Sequence, residues 1–129
     1  MSVFELFKQH FIEGGPFIMF LQYIMWILVI VNAIKFFRNY FSKNKNTKKL
    51  NKFNSNIIFL GVFGLLLSIF FQHAGFYGAL SAIEQTQDIS PRIILGGLRV
   101  SFIAPLYSYF LFLVSGLTWF VFRNLIKDI

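Results

Sequence analysis

The 129-residue sequence contains no cysteine. This absence excludes disulfide bonds, thiolate catalysis and cysteine-based metal sites. Acidic residues are also scarce, with five Asp and Glu against twelve Lys and Arg. The sequence shows no pair of carboxylates, no nucleophile beside a base and no phosphate-binding glycine loop, so we expect no enzymatic activity, no metal and no cofactor.

Apolar residues are abundant. They make up 57% of the chain, a fraction too high for a small soluble fold. The length of the chain fits a single membrane domain, 1–129. A spanning helix needs about 20 mostly apolar residues. The segments that meet this requirement are 16–37, 56–83 and 92–122.

Basic residues concentrate in two polar segments, 38–55 and 123–129, whereas 84–91 contains Glu84 and Asp88. The first of these segments has six basic residues and no acid: Arg38, Lys43, Lys45, Lys48, Lys49 and Lys52. The positive-inside rule places such segments in the cytoplasm, so we expect the N-terminus outside and the C-terminus inside. We interpret the basic loop as a topology signal that also attracts anionic lipid, rather than as a nucleic-acid site.

The N-terminal segment 2–13 has the pattern of a short amphipathic helix. Ser2 and Glu5 have the spacing of a capping box. Its apolar residues share one face: Val3, Phe4, Phe7, Phe11 and Ile12. We expect this helix to lie in the outer headgroup plane and to turn at Gly14 into the first span, which is bulky and reads as an outer, lipid-facing helix.

The second and third spans each carry a stripe of small or polar residues at helical spacing. In the second span the stripe is Gly61, Gly64, Ser68, Gln72, Gly75, Ala79 and Ala82. In the third span it is Gly97, Ser101, Ala104, Ser108, Ser115 and Thr118. Small residues let helix backbones approach closely in a bilayer, so the pattern predicts a hairpin of these two helices and a homo-oligomer that hides the remaining polar groups.

The third span also contains two arginines and an internal proline. Arg99 and Arg123 flank its apolar part, and we interpret both as interfacial anchors whose stems snorkel to the membrane surfaces. Selection of ions or binding of an acidic partner is the alternative for Arg99. Pro105 cannot donate a hydrogen bond to the Ser101 carbonyl and should bend the helix.

Three sequence runs resemble small members of the MotA/TolQ/ExbB proton-channel family. They are FYGALSAIE at 76–84, DISP at 88–91 and GGLRVS at 96–101. The run EGGP at 13–16 resembles the family's entry into its first span, and the likeness covers roughly residues 13 to 122. The fold expected is therefore all-α: three membrane spans and an interfacial helix, assembled as a ring.

The resemblance implies a homopentamer in a bacterial cytoplasmic (inner) membrane, with the second and third helices around an axial pore. A single-span partner of the TolR/ExbD/MotB type would place an aspartate in that pore, and ion flow would drive work beyond the membrane. Leu65 and Pro105 stand where better-known members carry threonine, and Val100 stands where some carry glutamate. Gln72, Ser101 and Ser108 would then have to hold water for the proton instead.

Each candidate site residue also has a structural interpretation. His73 is either a proton relay or a neutral histidine bonded to a neighbouring helix. Gln72 either lines the pore or forms a hydrogen bond between helices. We interpret Ser101, Ser108 and Ser115 mainly as small residues that allow close helix packing, with hydration of the pore as the alternative role. Two rival functions remain: a non-conducting scaffold with the same ring, and a ring that binds lipid or hydrophobic peptide in its lumen.

Overall fold

The computed structural model describes residues 2–86 and 90–129, and the regular elements in these two stretches are all α-helices. In chain order they are α1 (Val3–Glu13), α2 (Pro16–Tyr40), α3 (Thr47–Thr86), α4 (Pro91–Ser101) and α5 (Ile103–Lys127). Within the described residues, three stretches are long and apolar enough to cross a membrane: Pro16–Tyr40, Thr47–Gln85 and Pro91–Lys127.

Helix α1 begins at the capping box that the sequence predicts. The Glu5 backbone N–H donates to the Ser2 hydroxyl at 3.2 Å, and the Ser2 backbone N–H donates to the Glu5 carboxylate at 3.4 Å. The turn into α2 uses Gly15 at φ 96°, a conformation that favours glycine, and Pro16 then occupies the start of α2.

Helix α3 is longer than the span predicted at 56–83, because it takes over much of the expected loop at 38–55. The Asn46 side chain accepts hydrogen bonds from the backbone N–H groups of Lys48 and Lys49, at 3.1 and 3.2 Å, and so satisfies donors at the helix start. Leu50 and Ile57 are fully buried and continue the helix's packed face. The connection between α2 and α3 therefore shrinks to residues 41–46.

The third span is interrupted one turn before Pro105. Helix α4 ends at Ser101, Phe102 has the single non-helical position, and α5 begins at Ile103. Pro105 has no N–H for the Ser101 carbonyl, which explains why the span predicted as one helix is divided into two at this point. The expected outer loop at 84–91, with Asp88, falls partly outside the described residues.

Helices α2, α3 and α5 pack together, with α3 antiparallel to the other two, and form what we call the three-helix part. Its two apolar clusters centre on Phe36, Leu50 and Phe122 at one end, and on Met19 and Ile103 at the other. Helix α2 differs from the lipid-facing outer helix that the sequence predicts, because one of its edges is buried in the three-helix part. Phe17, Phe20 and other bulky residues are exposed on the opposite side.

Helix α3 continues well past this three-helix part. The Phe17 and Phe71 rings lie 5.9 Å apart, so α2 begins at the level of Phe71. Residues 72–86 extend roughly 22 Å further at 1.5 Å per residue. We call these residues together with α4 the two-helix extension. The basic loop and the C-terminal end of α5 lie at the opposite end, where the Asn54 side chain donates to the Trp119 carbonyl at 3.1 Å.

Candidate functional site

The first part of the α3 stripe packs inside the protomer. A Cβ on Gly61 would lie 2.6 Å from the Ser115 Cβ. A Cβ on Gly64 would lie 3.0 Å from both the Leu111 side chain and the Met25 sulfur. Since contacts below 3.0 Å force a neighbour to shift, Gly61 is needed for the approach of α3 to α5. The hairpin seam expected from the two stripes is present here.

Two serines meet across this seam, and the structure buries both. The Ser68 and Ser108 hydroxyl oxygens lie within hydrogen-bonding distance of each other. Ser68 also contacts the Leu65 carbonyl at 3.0 Å, and Ser108 contacts the Pro105 carbonyl at 2.8 Å. Two hydroxyl groups hold two protons, whereas the three contacts need three donors. One of the three contacts therefore has no proton of its own.

Gln22 is a buried polar residue between α2 and α3 that the sequence reasoning missed. It is fully buried and its Nε2 donates to the Gly64 carbonyl at 3.1 Å, while its Oε1 finds no partner among the described residues. The available signal was its position, because a polar side chain at membrane depth is a functional candidate by default. The first span has no small-residue stripe, so no local pattern marked Gln22 as a contact between helices.

Further unpaired polar atoms continue toward the basic end. The Ser115 hydroxyl and the Asn54 Oδ1 are buried and have no hydrogen-bond partner within the described stretches. An unsatisfied buried polar atom costs on the order of 1–3 kcal/mol, and buried water commonly satisfies such atoms. The seam between α3 and α5 thus carries polar groups along most of its length rather than a purely apolar contact.

The second part of the stripe lies in the two-helix extension, where the glycines have open space in front of them. A Cβ on Gly75, Gly78, Gly96 or Gly97 would find no described atom within 4 Å. Ala79 is exposed as well. Helix α4 is exposed along residues 91–99 and diverges from α3. The space between them is an apolar groove of about 690 Å³, lined by residues such as Ala79, Ile83, Ile93 and Gly97.

A smaller and more polar cavity lies where the extension joins the three-helix part. Its volume is about 230 Å³, and it opens beneath the turn between α1 and α2. Its polar lining comes from Glu13, Ser68, Gln72 and Ser101. Gln72 and Ser101 are half-buried, and Ala104 and Pro105 form part of the apolar wall. We call this space the polar cavity.

Glu13 is held at this cavity by two neighbours. Its carboxylate accepts a hydrogen bond from the Gln9 side chain at 3.1 Å and lies 3.6 Å from the Arg99 guanidinium. Arg99 is largely exposed and therefore links α4 to the end of α1. Arg123, the other predicted anchor, stacks its guanidinium 5.5 Å above the Trp119 ring near the opposite end. The two arginines thus lie at opposite ends of the third span.

His73 and Leu65 take different positions from the serines. His73 is exposed, and its Nδ1 lies 2.8 Å from the Ile69 carbonyl of its own helix. It does not join a neighbouring helix through that contact. Leu65 is half-buried and takes part through its backbone carbonyl, which contacts Ser68. Whether either residue faces a pore stays a prediction.

Helix α1 packs against the three-helix part through aromatic residues. The His10 Nδ1 lies 2.6 Å from the Tyr107 hydroxyl, and the Tyr23 hydroxyl donates to the Phe7 carbonyl at 3.1 Å. The rings of Phe11 and Tyr23 stack at 5.9 Å. These contacts hold α1 against α2 and α5, and its last residue, Glu13, reaches the polar cavity.

The chemistry open to this arrangement is packing, hydration and proton transfer. Within residues 2–86 and 90–129, no group of three or more His, Asp or Glu side chains is placed to hold a metal ion. Comparisons of the chain with protein-family models, with curated proteins and with solved structures find no match.

Proposed function

We propose that this chain is the ring-building, channel-forming subunit of a proton-driven complex in a bacterial cytoplasmic membrane. In this proposal it forms a homopentamer of the MotA/TolQ/ExbB type, and its lumen holds the single helix of a TolR/ExbD/MotB-like partner. Its N-terminus lies outside, with α1 in the headgroup plane, and the basic loop lies in the cytoplasm beside anionic lipid.

The two-helix extension is the observation that carries this proposal. Helix α3 has 40 residues, about 60 Å, which is about twice the thickness of a hydrocarbon core. If α2 fills the core, the extension projects beyond it, where lipid tails do not cover it. Its surface is nevertheless apolar, with Ile93, Leu95 and Leu98 exposed. Such a surface needs another protein surface against it.

Open glycines favour neighbouring helices as the covering surface. Small residues at Gly75, Gly78 and Gly97 allow close helix approach, and in the three-helix part the same kind of residue already serves that purpose at Gly61. A ring supplies such helices to every copy at once, because each subunit offers the same extension to the next. The family resemblance adds the count of five and the partner helix.

Subunit counting tests the assembly. Native mass spectrometry of the protein in mild detergent should find a pentamer for the wild type. Gly75→Leu should lose the ring, because its side chain occupies the space that a neighbouring helix would use. Gly116→Leu is the matched control: Gly116 also has no described atom within 4 Å of a built Cβ, but it lies in α5, outside the stripes. An intact wild-type monomer, or a full ring in Gly75→Leu, would contradict the proposal.

Proton uptake tests the energy-transducing part. Vesicles that contain the ring and its single-span partner should take up protons under a membrane potential. The same vesicles with the partner aspartate changed to asparagine should not. Equal uptake in both preparations would show that the partner carboxylate does not carry the proton.

One observation favours a non-conducting scaffold of the same fold. The Ser68 and Ser108 hydroxyls are engaged with each other inside the protomer, and the surface that the extension offers to a lumen is mostly apolar. A charged aspartate is costly in an apolar lumen. A pentamer with no proton uptake in the presence of its partner would support the scaffold.

A further inference from the structure

The polar cavity beneath the turn between α1 and α2 is a built site that neither the ring nor the partner helix explains. It lies at the level where α2 begins, and its inner wall reaches Ser68. Ser68 is one turn deeper than Gln72, about 6 Å along the axis of α3. The cavity therefore connects the membrane surface at the α1 end with the first buried polar contact of the seam.

We infer that the polar cavity is a water-filled entry site, in which water and protons pass Glu13 and reach the Ser68–Ser108 pair. A volume of about 230 Å³ holds several water molecules. Residues with polar groups that such water needs line the space: Glu13, Gln72 and Ser101, whose hydroxyl donates to the Leu98 carbonyl at 2.7 Å and can still accept a hydrogen bond. The Ser101 carbonyl also lacks the helical donor that Pro105 cannot supply.

The ligand is water and its excess proton rather than a metal cation. Arg99 places a positive charge 3.6 Å from the Glu13 carboxylate, which opposes binding of a second cation there. Water satisfies the polar lining without adding charge beside Arg99, and an excess proton, which Arg99 also repels, passes along the hydrogen-bonded water without being bound there. At the inner end, the two serines have one proton too few for their three contacts, so the pair can accept a hydrogen bond from the water column.

The turn between α1 and α2 fixes the mouth of this cavity. A Cβ on Gly14 would lie 2.8 Å from the His10 carbonyl oxygen and 3.0 Å from the Ile103 side chain. Gly15 has a positive φ. The chain is thus tightly packed just after Glu13, which leaves that carboxylate at the rim between Gln9 and Arg99.

Labelling of introduced cysteines tests hydration, because the native chain has none. Only a thiolate in contact with water reacts with methanethiosulfonates. In vesicles exposed on both sides to the ethylammonium reagent, Gln72→Cys and Ser68→Cys should react at least about tenfold faster than their matched controls. The controls are Phe70→Cys and Leu66→Cys, which replace exposed apolar residues two positions earlier on the same helix.

Charge at the mouth tests the place of Glu13. In the Gln72→Cys protein, Glu13→Gln leaves the Arg99 charge unpaired at the rim. The cationic reagent should then slow by about twofold or more, and the anionic sulfonate reagent should speed up by a similar factor. A neutral methanethiosulfonate should show no change.

Three outcomes would overturn the inference. Rates for Gln72→Cys and Ser68→Cys that are both as slow as the rate for Leu66→Cys would mean a dry cavity. Fast Gln72→Cys with Ser68→Cys as slow as its control would mean that water stops short of the serine pair. A Glu13→Gln protein with unchanged charge preference would remove Glu13 from the entry.

The inference rests on the proposed function only for the use of the proton. Labelling needs neither the partner nor proton flux, and the subunit count is measured separately. A dry cavity in an intact pentamer would refute the entry site alone, whereas a hydrated cavity in a monomer would refute the ring alone.

Discussion

The three-helix part and the two-helix extension contain the same kind of stripe in opposite situations. Gly61 and Gly64 are buried against α5 and α2, whereas Gly75 and Gly97 have open space in front of them. The stripe is continuous in sequence and divided in space at the level where α2 begins. A small-residue stripe therefore predicts close helix contact, but the contact is internal only along α5, and it is open on the α4 side of the break at Phe102.

The hydrogen-bond partners of the polar side chains also differ between the two regions. In the three-helix part Ser68 and Asn54 are buried and bond to other helices. In the extension the exposed His73 and the half-buried Ser81 bond to carbonyls of their own helix. These interhelical hydrogen bonds of the described residues lie in the three-helix part, and the polar cavity lies at its boundary with the extension.

Identical substitutions at two glycines should give the largest difference between the regions. Gly61→Ala should destabilise the protomer by roughly 1–3 kcal/mol, because the added methyl overlaps Ser115. Gly75→Ala should be neutral or stabilising by up to about 1 kcal/mol, since alanine favours a helix. Unfolding in detergent titrations, followed by circular dichroism, measures both, and equal effects would contradict the internal seam.

A double-mutant cycle at the serine pair should give a smaller effect. Ser68→Ala and Ser108→Ala should show a coupling energy of about 0.6–1.7 kcal/mol, the range found for hydrogen bonds between membrane helices. Ser81→Ala combined with Ser108→Ala is the control, because Ser81 bonds to the Tyr77 carbonyl of its own helix. Additive effects in the first pair would mean that the two hydroxyls do not interact.

Loss of the Tyr107 hydroxyl should weaken the contact of α1 with the three-helix part. Tyr107→Phe removes the hydrogen bond with His10 and should weaken the docking of α1 by about 0.5–1.5 kcal/mol. Hydrogen exchange of the α1 amides should speed up while that of α3 stays unchanged. Tyr77→Phe, at an exposed site in the extension, is the control. Unchanged α1 exchange in Tyr107→Phe would show that the contact does not hold the helix.

The link between α1 and α4 should contribute least. Glu13→Gln removes the ion pair with Arg99, and because that arginine is largely exposed the loss should be at most about 1 kcal/mol. The difference from wild type should shrink further at high salt. Stability measured at low and high salt checks this, and a large salt-independent loss would place the pair in a drier setting than its exposure indicates.

Sequence patterns predicted the helices and the small-residue stripes, but not which part of each stripe is packed inside the protomer and which part is open. The capping box at Ser2 and the break before Pro105 follow from local chemistry, so both could be read from the sequence. The early start of α3 depends on the Asn46 side chain, whose capping role is a local signal that the polar composition of the loop obscured.

Burial of Gln22 depends on the register between α2 and α3, which no local pattern reveals. The level at which α2 begins also decides which glycines stay open, and that level is set by packing over the whole length of the helices. Glu13 belongs to the EGGP run, but the run does not predict its position at the polar cavity, which comes from the turn that brings the end of α1 to α3 and α4.

The proton shortage at Ser68 and Ser108 gives this contact a direction. If Ser68 donates to Ser108, Ser108 donates to the Pro105 carbonyl, and the Leu65 carbonyl goes without; if Ser108 donates, the roles reverse. The two arrangements contain the same number of hydrogen bonds and point their O–H dipoles in opposite directions between α3 and α5. The O–H groups of the pair can therefore point in either direction across the seam, and a nearby charge would favour one direction without moving a helix.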